Sequence, residues 1–428
     1  MKKIFKFALL AVAACSLTTS CSEDEGGSSN RIEEQNTAIQ TLTSQYLNDV
    51  VYPTYKNLAS EAEKLHNLVS QLKTKLKAGT SVTQAEIDAI CKSYKDARNY
   101  WEESEAFLFG PASDFEIDPH IDTWPLDVKT LAQDLAMDSK IAQLDAAESN
   151  GEARKYLTKE NLGFHGLEFI FFRNGKNRDV AIFNNDATES FENYFNGMNV
   201  TGKEEVIFAA AVACDLRDKC YQLEVAWLGA KAPAAHISRI AECAQKFDDF
   251  QTTVSKNGLS YGEDMLKAAT STSTYNSWKK VVEQILVGGC SNICAEVADQ
   301  KMGQAYRCAN GAAEEDDDPN YIESPYSHNS YNDFYDNIVS IKNSLYGNIH
   351  GTNATSTSIM SYLQKYNSTM AAELASKLNA ALQSLQACKD SGVSFVEAPG
   401  HQRVKAAMDA IGELDDMLNV ASAWILRN

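Results

Sequence analysis

The residues best suited by type and spacing to do chemistry are His165 and Glu168, in the run GFHGLEFIFF over 163–172. This run is apolar nearly all round, which predicts a buried helix. A separation of three residues places both side chains on one helical face, where they can reach a common point. A glutamate is rarely buried unless it is paired or ligated. The pair therefore indicates a metal site or a satisfied hydrogen-bond network.

The spacing alone leaves both readings open, because most His and Glu pairs at this separation are surface ion pairs or satisfied core pairs. Gly163 and Gly166 leave room for a second backbone or a ligand beside the helix. The chain has no His-Glu-x-x-His sequence, so the common zinc-peptidase helix is absent. The other histidines, none followed by an acid three residues later, are His66, His120, His236, His328, His350 and His401.

Four segments in order along the chain together resemble the imelysin-like family, whose Gly-x-His-x-x-Glu motif fits Gly163, His165 and Glu168. The others are the segment 97–110 with Arg98, Glu102 and Glu105, the segment 120–127 with Trp124 and Asp127, and the segment 323–330 with Glu323, Ser324 and Ser327, followed by Asp333 and Asn337. The chain departs from the family at His120, where many members have an arginine before the Trp-Pro pair.

This resemblance implies a third metal ligand and a list of possible supporting residues. Glu105 is the best further ligand by resemblance to the family, whereas Glu102 is supported only by its position one helical turn earlier. Asp127 and Asp333 are acids within the matching segments that could hold the ligands in place. Imidazole with carboxylates suits iron, zinc or manganese. A ferritin-like di-iron centre would need Glu-x-x-His on two helices, and this chain has one pair in the reverse order.

The amino terminus predicts export and lipid attachment. Residues 1–21 combine early lysines, a short apolar core and Cys21, which is the pattern of a secretory signal. We expect lipidation at Cys21, followed by a flexible acidic tether over 22–30; Cys15 fits the small-residue cleavage pattern locally but leaves a shorter apolar core. The protein is then held at the bacterial cell envelope by a lipid, at the outer membrane, and faces either the periplasm or the cell surface. No other membrane-spanning stretch is expected.

Composition predicts an all-α protein. Proline is scarce, with 8 in the chain, and helix-favouring residues fill the intervals between the breaks. Thr83 to Glu86 forms a capping-box sequence that should open a helix, and further long helices are expected at about 152–173, 203–229, 278–309 and 401–427. The resemblance implies two four-helix-bundle-like halves with a site at their interface. We assign them to 31–195 and 200–428.

Charge and cysteine content narrow the function classes. A formal net charge of −19 argues against nucleic acid as a partner. The acidic run at 314–318 lacks the ligand spacing of a calcium loop. Eight cysteines follow Cys21 without a Cys-x-x-Cys pair, which leaves zinc-ribbon and redox motifs unsupported. They are either small buried side chains or include one bridge among Cys290, Cys294 and Cys308.

Two classes of function fit these observations, and a third is simpler. The favoured one is an envelope protein that binds iron, another metal or a metal-bearing ligand, working with envelope uptake proteins. The alternative is a metallopeptidase with His165 and Glu168 as metal ligands, which would also need an open coordination position and a general base. The simplest is an interaction scaffold in which the polar cluster fixes how the two halves dock.

Overall fold

The computed structural model describes residues 25–185, 198 and 200–428. The predictions for the signal sequence and for Cys21 lie outside these residues. The described part is all-α, as expected, with one two-stranded hairpin. Its α-helices are α1 Glu25–Tyr46, α2 Tyr52–Lys77, α3 Gln84–Glu102, α4 Pro111–Asp114, α5 Asp118–Ile121, α6 Val128–Leu135, α7 Asp138–Ala147, α8 Gly163–Phe171, α9 Val180–Phe183, α10 Gly202–Leu228, α11 Ala234–Ala244, α12 Tyr261–Leu266, α13 Trp278–Glu283, α14 Asn292–Ala295, α15 Gly303–Ala309, α16 Ser330–Tyr346, α17 Ile359–Tyr366, α18 Ser368–Lys389 and α19 Gln402–Arg427.

Shorter elements join these helices. The antiparallel strands β1 Phe172–Arg173 and β2 Lys176–Asn177 follow α8 directly. Five-residue hydrogen-bond steps widen the helical backbone into π-helix at Leu47–Val51, Gln284–Ser291 and Glu296–Lys301. The 3₁₀ turns are Glu105–Phe107, Glu148–Asn150, Ala153–Lys155, Lys159–Asn161 and Gly229–Lys231.

The long helix α10 is buried along most of its length and packs against α2, α7, α8 and α11. Toward the carboxyl end, α18 packs on α19, and α16 contacts both α18 and α3. The first helix, α1, packs on α13. Helix packing therefore crosses the predicted boundary near 195–200, since α10 lies against helices that precede it. The division into two bundles stays a prediction.

Two helix ends differ from the sequence expectation. The predicted helix at 152–173 is broken by 3₁₀ turns, and α8 begins at Gly163, whose φ of +65° is left-handed and cannot continue a right-handed helix. At the amino end, α1 already begins at Glu25, inside the segment expected to be a flexible tether. A helix that has already formed gains one backbone hydrogen bond for each residue added to it, so extending it is easier than starting a new helix. The capping box at Thr83 and Glu86 is confirmed.

The helical run Trp278–Ala309 corrects a second expectation. Among the described residues it is long and apolar enough, by length and composition, to span a membrane, although no such stretch was expected beyond the signal. More than half of its most apolar window is buried inside the protein. Such burial by other helices is typical of a helix in a protein core. Cys290 and Cys294 lie in this run as buried free thiols.

Candidate functional site

Ionisable side chains of both charge signs, from separate parts of the sequence, meet in the protein interior. We call this set the buried charge cluster. Each member is at most 3% exposed. The members come from α3, the turn after it, the residue after α5, α8, the π-helical end at Lys301, the loop before α16, and α16 itself. They are Arg98, Glu102, Glu105, Asp122, His165, Glu168, Lys301, Glu323 and Asp333.

Gly163 explains how α5 comes close enough to α8 to build this cluster. A Cβ atom at Gly163 would lie 2.0 Å from the Ile121 carbonyl oxygen and 2.6 Å from the Ile121 Cα. Because glycine lacks that atom, the end of α5 rests directly on the start of α8. The next residue, Asp122, is thereby placed beside His165, with Asp122 Oδ1 3.1 Å from His165 Nε2.

Two permanent cations bind the acids together. The Arg98 guanidinium contacts Glu102 at 2.6 Å and Glu323 at 2.5 Å, and it also pairs with Asp122. The Lys301 ammonium lies 3.3 Å from Glu323, 3.7 Å from Glu105 and 3.8 Å from Glu102. Asp333 lies at 4.0 Å from Arg98 Nε. The two cations thus link elements that are more than 200 residues apart in sequence.

The electrostatics of His165 follow from its two acidic neighbours. Burial opposes the charged imidazolium, but hydrogen bonding to Asp122 and to Glu168 outweighs it and raises the pKa of His165 to about 9. The Nδ1 atom lies 3.4 Å from Glu168 Oε2. Burial also opposes the ionised form of Asp122, yet Arg98 and His165 hold the pKa of this carboxyl well below its usual range. At neutral pH the pair is therefore imidazolium and carboxylate.

Glu168 anchors the loop that precedes α16. Its Oε1 accepts hydrogen bonds from the Tyr326 backbone N–H at 3.1 Å, the Ser327 N–H at 2.7 Å and the Ser327 hydroxyl at 2.6 Å. The same loop contains Ser324 and His328, both with left-handed backbones at φ of +52° and +54°. Such backbone conformations persist where the surroundings fix them. Glu168 thus holds in place the loop that carries Glu323 into the cluster.

The loop is fixed at its other end by α16. Ser324 donates its hydroxyl hydrogen to Asp333 Oδ2, and the Ser330 hydroxyl donates to the Glu323 carbonyl oxygen. Asn337, one turn further along α16, donates to Glu102 Oε2 at 2.6 Å. Side chains of α16 therefore connect the loop to the end of α3.

The buried charge cluster contains more acidic side chains than cationic ones. Burial raises the pKa of both Glu102 and Glu105 well above the ordinary range, although Arg98 and Lys301 act against it. Burial likewise raises the pKa of Asp333 to about 6. Charged carboxylates are costly to bury without compensation, so some of these groups hold protons at neutral pH. A bound cation would supply the same compensation.

Two subsets of the cluster have the donor atoms and spacing that a metal ion requires. Asp122, His165 and Glu323 form one, and Glu102, Glu105 and Asp122 form the other, with ligand atoms in each set within 4.8 Å of one another. Within the described residues, Glu105 Oε2 and Glu323 Oε2 have no hydrogen-bond partner. A nitrogen and two carboxylates make a donor set that suits zinc, iron or manganese.

The structure brings together most of the residues singled out in sequence, but in different roles. His165 and Glu105 belong to separate ligand subsets that share Asp122, whereas Glu168 is engaged with the 326–327 backbone. The Trp124 ring lies 5.6 Å from the His165 ring and 5.2 Å from Lys301 Nζ. Asp127 is not brought to the cluster: it is exposed and caps α6 by accepting from the Thr130 N–H at 3.0 Å.

Sequence reasoning missed two central members of the cluster. Asp122 stands two residues before Trp124 in a segment already singled out, so its neighbourhood was the available signal. Lys301 lies near the end of a long apolar helical run that also carries Lys279, Lys280 and Arg307, so its burial is visible only in the structure. The position that departs from the family pattern, His120, contacts Asp215 at 2.6 Å instead of the cluster.

Comparison with known proteins identifies the family of this chain. The sequence profile of the imelysin family matches residues 51–418. The chain belongs to the imelysin family. Iron-regulated protein A of Synechococcus elongatus is 24% identical over 374 residues, which cover 87% of this chain and 83% of that protein.

A solved crystal structure has the same fold. The crystal structure of a Parabacteroides distasonis protein, described as an iron-regulated protein A precursor, superposes with a TM-score of 0.68 at 23% sequence identity. The match covers 91% of this chain and 95% of the other. The all-α imelysin fold therefore extends over nearly the whole described chain.

Proposed function

We propose that this imelysin-family protein is a lipid-anchored protein of the bacterial cell envelope that binds iron or a metal-bearing ligand at the buried charge cluster, in the service of uptake. The name of its Synechococcus elongatus relative, iron-regulated protein A, supports a connection with iron. The amino-terminal signal pattern with Cys21 supports the envelope location. Uptake proteins of the envelope are the expected partners.

The observation that carries the proposal is the excess of buried acid around His165. Asp122, His165 and Glu323 offer one nitrogen and two oxygen donors close together, and Glu323 Oε2 has no hydrogen-bond partner among the described residues. Arg98 and Lys301 balance only part of the negative charge. A cation that entered here would replace protons, so binding would release protons to solvent.

The geometry supports binding better than peptide cleavage. A metallopeptidase that used Glu168 as a metal ligand would need this carboxylate free to coordinate, and Glu168 Oε1 is engaged by three donors. The metal-ligand candidates are at most 3% exposed, whereas a peptide substrate must bring its backbone to the metal. A site for a small ion fits these contacts more closely than a site for a polypeptide.

Calorimetric titration of the full chain with Fe²⁺, Zn²⁺ and Mn²⁺ tests the proposal. We expect wild type to bind and His165→Ala to lose binding, because the substitution removes the imidazole ligand. His66→Ala is the matched control: His66 is also largely buried and lies 3.2 Å from a carboxylate, that of Glu148, outside the cluster. Circular dichroism of each variant confirms that its helical content is retained.

The other functions predict different outcomes. Equal binding by wild type and His165→Ala, or none by either, would defeat the metal proposal and favour a network that only docks helices. Proteolysis that zinc restores after chelation and that is lost in Glu168→Gln would instead favour the peptidase.

A further inference from the structure

The two permanent cations of the buried charge cluster are held in different ways. The Arg98 guanidinium lies 2.5 Å from Glu323 and 2.6 Å from Glu102. The Lys301 ammonium lies 3.3 Å from Glu323, 3.7 Å from Glu105 and 3.8 Å from Glu102. These three distances all exceed the roughly 2.7–2.9 Å of a hydrogen bond between an ammonium and a carboxylate. Lys301 therefore lies between three carboxylates and is paired closely with none of them.

The Lys301 ammonium stands among the oxygens that a metal ion would bind. Glu102 and Glu105 belong to one of the two candidate ligand sets, and Glu323 belongs to the other. The ligand atoms within each set lie within 4.8 Å of one another. A metal ion held by either set would lie close to the ammonium, and like charges repel strongly in the protein interior.

Lys301 keeps its positive charge although it is only 1% exposed. Burial opposes the ammonium form, but Glu105, Glu323 and Glu102 outweigh burial and raise the pKa of Lys301 well above its ordinary range. The side chain therefore stays protonated at neutral pH. Its charge leaves the carboxylates only if the side chain moves.

The surroundings of Lys301 allow such a movement. The residue ends the π-helical segment Glu296–Lys301, and its ammonium is carried on a flexible four-carbon stem. Lys301 Nζ also lies 5.2 Å from the centre of the Trp124 ring, whose face attracts an ammonium. A retreat from the carboxylates toward this ring keeps one favourable contact.

We propose that Lys301 is a tethered competitor of the metal ion, whose ammonium fills the space between Glu102, Glu105 and Glu323 until a multiply charged cation displaces it. A divalent cation gains roughly twice the Coulomb energy that the ammonium gains from the same carboxylates. Lys301 thus lowers the affinity of the cluster for metal ions while it neutralises part of the buried acid. This inference rests on the function proposed for the buried charge cluster.

Calorimetric titration of the full chain with Zn²⁺ compares wild type with Lys301→Met, which keeps an unbranched stem and removes the charge. We expect Lys301→Met to bind zinc at least about 10-fold more tightly, because one charge within about 4–6 Å changes the proton affinity of a carboxylate by roughly 10- to 1000-fold. Lys301→Arg keeps the charge and should bind zinc no more tightly than wild type. Equal or weaker zinc binding by Lys301→Met overturns the inference.

Lys219→Met is the matched control. The Lys219 side chain is also fully buried, its ammonium lies 2.6 Å from Asp249 Oδ2, and it stands outside the buried charge cluster. This substitution removes a buried ammonium without changing the charge among the ligand candidates, so the zinc affinity should equal that of wild type. Zinc binding that Lys219→Met tightens as much as Lys301→Met does also overturns the inference.

Thermal unfolding provides a second measurement, because removing one partner of a buried ion pair destabilises a protein. Without zinc, Lys301→Met should unfold at a lower temperature than wild type. At the same zinc concentration it should gain more in unfolding temperature than wild type does, because a tighter ligand stabilises the folded state more. A zinc-induced gain no larger than that of wild type contradicts the inference, and so does a variant that stays unfolded with zinc present.

Failure of the proposed function has a different signature. If neither wild type nor Lys301→Met binds zinc, metal binding at the cluster is wrong and the role of Lys301 is wrong with it. If both bind with equal affinity, only the role of Lys301 is wrong. Tighter binding by Lys301→Met that is lost when His165→Ala is added supports both.

Discussion

Replacing Gly163 by alanine is the sharpest test of how the site is assembled. The added Cβ would lie 2.0 Å from the oxygen, 2.4 Å from the carbon and 2.6 Å from the Cα of Ile121. These are backbone atoms, so no side-chain rotation relieves the clash, and α5 has to move away from α8. Asp122, the residue after α5, would then move away from His165.

The expected cost has two parts. Alanine in a left-handed conformation is destabilising by about 1–2 kcal/mol, and overpacking a buried contact costs roughly 1–3 kcal/mol. Gly163 has a φ of +65° and meets both conditions. We therefore expect Gly163→Ala to lower the free energy of unfolding by about 2–5 kcal/mol.

Urea unfolding followed by circular dichroism measures this change, with Gly412→Ala as the matched control. Gly412 lies within α19, and a Cβ there would meet nothing within 4 Å. Alanine is the better helix former, so this control should raise the free energy of unfolding by about 0.5–1 kcal/mol. An unfolding free energy for Gly163→Ala within about 0.5 kcal/mol of wild type would refute the packing argument, since surface substitutions produce changes of that size.

Three further predictions concern the hydrogen bonds of Glu168, the pKa of His165 and lipid attachment at Cys21. Glu168→Ala should lower the free energy of unfolding by about 3–5 kcal/mol, because it removes the acceptor of three hydrogen bonds from the 326–327 segment. Glu168→Gln keeps an acceptor and should lower the free energy of unfolding by about 1–2 kcal/mol. Equal losses in urea unfolding would contradict this role of Glu168. The raised pKa of His165, about 9, means that its contacts stabilise the fold fully below its unfolded pKa of about 6.5 and that this contribution is lost as pH rises through about 9. The difference in unfolding free energy between wild type and His165→Ala should therefore shrink from pH 6 to pH 10, and a constant difference would contradict the assignment. Cys21→Ala should release the protein from the membrane fraction; release by Cys15→Ala in its place would show that lipidation is at Cys15.

Much of the helical structure could be predicted from the sequence. The helix beginning after Thr83 was predicted from its capping box, and the buried helix containing His165 and Glu168 was predicted from its apolar run. These features depend on contacts between residues three or four apart, which composition and spacing reveal directly. The start of α8 at Gly163 was missed, because its left-handed φ follows from the approach of α5 and not from local preference.

The residues of the candidate site also divide into those that the sequence indicates and those that only the structure reveals. The sequence indicated Arg98, Glu105 and Glu323 through family resemblance and Glu102 through its position one helical turn before Glu105. The structure places all four in one buried network. The exposed helix cap at Asp127 shows the limit of that reasoning, because a matching segment does not reveal which way each of its side chains points.

By itself, the sequence determined the all-α class and the pairing of His165 with Glu168 on one helical face, because helical periodicity is a local property. Tertiary structure alone decided that Asp122 meets His165, that Lys301 enters the cluster, and that Glu168 binds a loop 158 residues away along the chain. Such meetings depend on the docking of helices, where shifts of an ångström or two decide which charges pair. No spacing along the chain contains that information.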